Sequence, residues 1–62
     1  MHRIYQFILD SVNQGHTILA YDRSVANPHV YHIKDASRVT LCGDVLHVDG
    51  VPAKGWTVCR KP

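Results

Sequence analysis

The chain has 62 residues, an apolar fraction of 45% and a formal net charge of +2. These values indicate one globular domain spanning residues 1–62 rather than a disordered segment. No apolar run approaches the roughly 20 residues that a membrane span needs, and the first residues lack the pattern of a signal peptide. We therefore expect a cytoplasmic protein with no membrane partner. Because so short a chain rarely builds a deep cleft, we also expect a protein that is not an enzyme.

The first predicted element is a helix over residues 2–14. Apolar side chains recur there at the spacing of one helical face, at Ile4, Phe7, Ile8 and Val12. Gly15 follows directly and suits the left-handed conformation that ends many helices.

Beyond Gly15, short β-branched and aromatic runs alternate with turn residues, a pattern typical of strands. They predict strands over about residues 17–21, 29–34, 38–42, 45–48 and 56–60. Asp49-Gly50 is a strong hairpin signal, and Pro52 limits any strand there to an edge or a short bridge. The expected fold class is α+β, with one N-terminal helix packed on a small antiparallel sheet of four to five short strands.

Strand alternation places both cysteines away from the more apolar sheet face. Val39 and Leu41 share one face of their predicted strand, so Cys42 lies on the other face. In the predicted strand over residues 56–60, Trp56 lies on one face and Cys59 on the other. If the helix covers the apolar face, neither thiol is a core residue.

Four side chains form a candidate zinc site, namely His29, His32, Cys42 and Cys59. Two cysteines and two histidines satisfy tetrahedral zinc, and metal binding would stabilise a small core. Against this site, His29 and His32 point to opposite faces if residues 29–33 form a regular strand. Reduced cysteines beside surface histidines, or a disulfide, are the alternatives. We therefore expect no cofactor, with zinc as the exception.

The half of the chain from His32 to the end resembles a pattern in small uncharacterised phage and actinobacterial proteins. The matching residues are His32, Thr40-Leu41-Cys42-Gly43, Trp56 and Cys59. The resemblance implies a zinc-finger-like site carried by His32, Cys42 and Cys59. The closing Cys-x-x-Cys of that pattern is incomplete here, because Pro62 stands at its last position. The implied site is one ligand short unless His29, His16 or His47 supplies it.

Two catalytic alternatives stay open. The helix, the Gly15-His16 step and the strands that follow resemble the start of short messenger-RNA-cleaving toxins, in which a histidine on the sheet performs acid–base work. That role would carry over to His16, His29 or His32, although the closing helix and the lysine-rich character of those toxins are missing here. A thiolate–imidazolium pair would use Cys42 or Cys59, but the sequence shows no third, orienting group.

The expected function is that of a non-enzymatic binding module encoded by a phage or mobile element, which binds and inhibits or redirects a host protein. The dispersed cations favour a protein partner over nucleic acid. The candidate partner-binding residues are Tyr21, Arg23, Tyr31 and Lys34, and Trp56 is expected in the core. A homodimer is also expected, since an exposed strand edge such as 56–60 can pair across a twofold axis. The main alternative is a structural zinc module that acts in nucleic-acid binding or regulation.

Overall fold

The computed structural model of the chain describes residues 2–62. One helix and a short 3-10 turn (Ala36–Arg38) accompany six strands: α1 (Arg3–Asn13), β1 (Ile18–Tyr21), β2 (Tyr31–Ile33), β3 (Val39–Cys42), β4 (Val45–Val48), β5 (Val51–Pro52) and β6 (Thr57–Arg60). The strands form two antiparallel three-stranded sheets, ordered β2-β1-β6 and β3-β4-β5. The α+β class is confirmed. The structure has six strands in two sheets instead of the expected single sheet of four to five strands, because the turn at Ala36–Arg38 separates β2 from β3.

Local capping groups set the ends of α1 within one residue of the predicted bounds. His2 precedes the first turn, and its Nδ1 accepts a hydrogen bond from the Tyr5 backbone N–H at 3.4 Å. At the other end Gly15 has a φ of +88°, the left-handed conformation expected from the sequence. The N–H of His16 then bonds the Ser11 carbonyl and completes the cap.

The hydrophobic core lies between α1 and the inner faces of both sheets. Eight apolar residues are buried there, namely Ile8, Ile18, Ala20, Ile33, Val39, Leu46, Val48 and Ala53. Trp56 is half-buried and packs against this core, as do Tyr5, Phe7, Val12, Tyr31 and Val58. Both halves of the chain therefore contribute to one core.

The hairpin predicted at Asp49-Gly50 joins β4 to β5. Both turn residues have positive φ, +53° and +81°, as a type I′ turn requires. Pro52 lies opposite His47 on the outermost strand of this sheet, where the missing proline N–H breaks no ladder. The expectation that Pro52 restricts this segment to an edge is thus confirmed.

Among residues 2–62, no helix has the length and apolarity needed to cross a membrane.

Candidate protein-binding site at the β6 edge

The two sheets have four outer strands, and a side chain occupies the edge of β2. The His32 carbonyl, in the middle of this strand, accepts a hydrogen bond from the Arg38 guanidinium. Asp49 holds that guanidinium by two bonds, with Nε–Oδ1 at 2.9 Å and Nη2–Oδ2 at 2.6 Å. These same bonds lower the pKa of the Asp49 carboxyl group. The edge of β2 is therefore blocked against a further strand.

The outer strands of the second sheet are also restricted. Pro52 deprives β5 of a donor, since proline has no backbone N–H. On β3, α1 contacts the strand, and the outward N–H of Val39 already donates to the Ala36 carbonyl. Neither strand offers a complete run of accessible hydrogen-bonding groups.

The outer edge of β6 is open. The Lys61 N–H donates to the Thr17 carbonyl at 2.8 Å, so these two residues form a hydrogen-bonded pair. In an antiparallel ladder hydrogen-bonded and non-bonded pairs alternate, and the register between β6 and β1 continues directly from this pair. Val58 and Arg60 occupy non-bonded positions, so their N–H and C=O groups point away from β1. Among residues 2–62 these N–H and C=O groups form no hydrogen bond with another backbone group. The one element that β6 contacts extensively is β1. A further strand can therefore bond to Val58 and Arg60 without breaking the sheet.

An apolar pocket adjoins this open edge. Its volume is about 230 Å³, and its apolar walls come from Ile4, Val45, Leu46, Ala53, Trp56 and Val58. Two shallower depressions continue along the start of α1, and they are lined by Leu41 and by Phe7. Ile4 and Leu41 remain 40% and 37% exposed, so the depressions beside the pocket keep apolar surface accessible to a partner.

An aromatic stack fixes one wall of the pocket. The rings of Tyr31 and Trp56 are stacked with centroids 5.3 Å apart, and the His29 ring meets Tyr31 edge-on at 4.6 Å. Offset and edge-on aromatic pairs contribute roughly 0.5–1.5 kcal/mol beyond their burial. The stack therefore holds the Trp56 ring in place where it lines the pocket.

Arg60 anchors the C-terminal end of β6 to the helix. Its Nε donates to the Ser11 hydroxyl at 3.0 Å, and its guanidinium lies 5.3 Å from the centre of the Phe7 ring. Ser11 is completely buried, so this bond satisfies a hydroxyl that would otherwise lack a partner. A strand held in this way is preorganised, which lowers the entropic cost of binding a partner.

The structure does not bring the four predicted zinc ligands together. Cys42 is exposed on β3 and Cys59 is half-buried on β6, so the two free thiols belong to different sheets and lie outside the core, as expected from strand alternation. His29 and His32 are both exposed. In the described part of the chain, no group of three or more His, Cys or Asp side chains is arranged to hold a metal ion.

Zinc binding stays a prediction that metal analysis of untagged protein can decide. One zinc per chain, with unfolding on chelation, would support the four-ligand site. Protein without metal, in which both thiols titrate freely, would remove it.

The predicted partner-binding residues lie on two faces of the first sheet. Tyr31 pairs with Ala20 and packs against the core, whereas Tyr21, one residue further along β1, points to the other face. Arg23 follows β1 and Lys34 follows β2, and because these strands are antiparallel the two exposed residues lie toward opposite ends of the sheet. These four side chains therefore do not form one continuous surface.

The edge at residues 56–60 was named from the sequence, but the pocket beside it was missed. Its walls come from the start of α1, from β4 and from the segment before β6. No local pattern relates Ile4 to Val45 or Val58.

No protein-family model, curated protein or solved structure matches this chain. The resemblances to phage and actinobacterial proteins and to RNA-cleaving toxins stay predictions.

Proposed function

We propose that this protein is a non-enzymatic binding module that takes an extended segment of a partner protein as an additional strand on β6. The observation that carries the proposal is the open backbone of Val58 and Arg60 beside an apolar pocket. Strand addition uses main-chain hydrogen bonds for affinity and a neighbouring pocket for side-chain specificity. A host protein as the target, and a phage or mobile element as the origin, belong to the same proposal and draw their support from the sequence resemblance.

The expected affinity is modest. Each main-chain hydrogen bond contributes roughly 0.5–1.5 kcal/mol, and Val58 and Arg60 together present two donors and two acceptors. An apolar side chain of valine or leucine size adds about 1.5–3 kcal/mol when it is buried in the pocket. Ordering the segment opposes these contributions, so we expect dissociation constants between about 1 μM and 1 mM. Such values suit a regulatory interaction that forms and dissociates readily.

The decisive substitution is Val58→Pro. Proline removes the outward N–H while leaving every bond of the β1 ladder in place, because Val58 occupies a non-bonded position. Val58→Ala is the matched control, since it shortens the same side chain and keeps the N–H. Circular dichroism and thermal unfolding establish that both variants fold.

A partner captured from a candidate host lysate and identified by mass is then titrated against the three proteins. We expect Val58→Pro to bind at least about tenfold more weakly than Val58→Ala, the equivalent of about 1.4 kcal/mol. Equal binding by the two variants would contradict strand addition. If the isolated wild type sediments as a dimer and Val58→Pro as a monomer, the edge accepts a second copy of the chain, and the homodimer replaces the proposed partner protein.

A further inference from the structure

The basic residues are concentrated around β6 and its pocket. Four of the seven Lys and Arg residues lie at this edge, in the pocket or in the adjoining depressions, namely Arg3, Lys54, Arg60 and Lys61. The same surface carries two carboxylates, Asp44 and Asp10. The surface therefore carries a net charge of +2, which equals the net charge of the whole chain.

Elsewhere the charges balance. Arg38 and Asp49 form the one ion pair between side chains within residues 2–62. The remaining charged residues are two cations and two carboxylates, Arg23, Lys34, Asp22 and Asp35. Hydrogen bonds from Ser24 and Ser37 lower the pKa of these two carboxyl groups, so both are ionised at neutral pH. Uncompensated positive charge is thus a property of the β6 surface and not of the rest of the molecule.

We infer that the segment bound at β6 is acidic, with an apolar residue for the pocket beside Val58 and carboxylates toward both ends. This inference rests on the proposed function, because it specifies the ligand of the same edge. Lys54 precedes the strand and lines the pocket, and Lys61 follows the strand, so cations stand toward either end of the bound segment. Side chains of an added strand alternate between the two faces of the sheet, so apolar and acidic residues can alternate along it.

Charge also discriminates between the two possible occupants of the edge. A second copy of the chain would bring its own four cations to the same surface, whereas an acidic segment neutralises the cations already there. Complementary potentials raise association rates and reject like-charged partners. The interaction should therefore weaken as salt rises, since exposed charges are screened over about 8–10 Å at physiological ionic strength.

The test is selection of a random peptide display library on the full-length chain, followed by titration of labelled synthetic peptides. We expect the enriched peptides to be acidic and to contain an apolar residue flanked by Asp or Glu. Replacing Lys54 and Lys61 together by Glu should weaken their binding at least about tenfold. Lys34→Glu is the control for a cation outside the site, and we expect less than about a twofold change, because Lys34 follows β2, on the far side of β1 from β6, and its charge is screened.

The outcomes separate this inference from the function on which it rests. Enriched peptides that are neutral or basic, and that still fail to bind Val58→Pro, overturn the acidic segment but support strand addition. Acidic peptides that bind Val58→Pro as tightly as the wild type contradict strand addition itself. A selection that enriches no peptide contradicts both.

Discussion

Ile8 and Ile4 offer a matched test of how the core is built. Both are isoleucines of α1, one turn apart, but Ile8 is completely buried and Ile4 is 40% exposed. Truncating a buried isoleucine to alanine costs about 2–5 kcal/mol, because the removed atoms leave a cavity. A domain of this size has roughly 3–5 kcal/mol of net stability. Ile8→Ala should therefore remove most or all of the folded population.

The same substitution at Ile4 should have a much smaller effect. Full burial of an isoleucine side chain contributes about 1.5–3 kcal/mol, and only part of this is available at a residue that keeps 40% of its exposure. Alanine also gains a few tenths of a kcal/mol in helix propensity, so the expected loss is below about 1 kcal/mol. The conservative Ile8→Val should cost about 0.5–1.5 kcal/mol.

Urea unfolding followed by Trp56 fluorescence measures these differences, because Trp56 packs against the core. Circular dichroism of the helix provides the second probe of a two-state transition. For a domain of this length, 1 kcal/mol shifts the melting temperature by about 4–8 °C. If Ile4→Ala destabilises the protein as much as Ile8→Ala, the helix packs through another face and the core described above is wrong.

Three further predictions concern the second sheet and the blocked edge. Because Arg38 lowers the pKa of Asp49 below 3.8, the contribution of the carboxylate to stability is complete above about pH 4 and is lost as pH falls through the folded-state pKa. Asp49→Asn should therefore reduce the difference between the urea midpoints measured at about pH 7 and pH 3, and an unchanged difference would contradict this. Gly50→Ala should lower the free energy of unfolding by about 1–2 kcal/mol, because φ is +81° at this position and L-residues rarely adopt it. A new Cβ meets no atom within 4 Å, so the backbone conformation is the whole cost, and a neutral effect in urea titration would mean that the turn is formed differently. Arg38→Ala should leave the β2 edge open and increase light scattering at high protein concentration, relative to the surface control Arg23→Ala, and equal scattering would show that the guanidinium does not protect the edge.

Much of the secondary structure was predictable because local signals agree with one another. Apolar spacing and Gly15 defined the helix within a residue at each end. The Asp49-Gly50 turn required positive φ at both positions, which few other dipeptides tolerate. Strand bounds at β4 and β6 were close for the same reason, since turn residues interrupt the apolar pattern on either side.

The division into two sheets was not predictable from these signals. Pairing depends on which strands meet in space, and the turn at Ala36–Arg38 directs β3 away from β2. The same turn positions Arg38 so that it reaches both the His32 carbonyl and Asp49. A single arginine in a sequence carries no indication that it blocks the edge of a sheet.

The sequence alone determined the class of fold, the helix, the hairpin and the outward position of both cysteines, because each depends on residues that are neighbours along the chain. Tertiary structure decided which strand edge stays open and what lies beside it. The pocket draws Ile4, Val45 and Val58 together from three distant segments. Folding also adds Arg3 to the cations that Lys54, Arg60 and Lys61 already group near β6 in the sequence, because the helix and both sheets share a core.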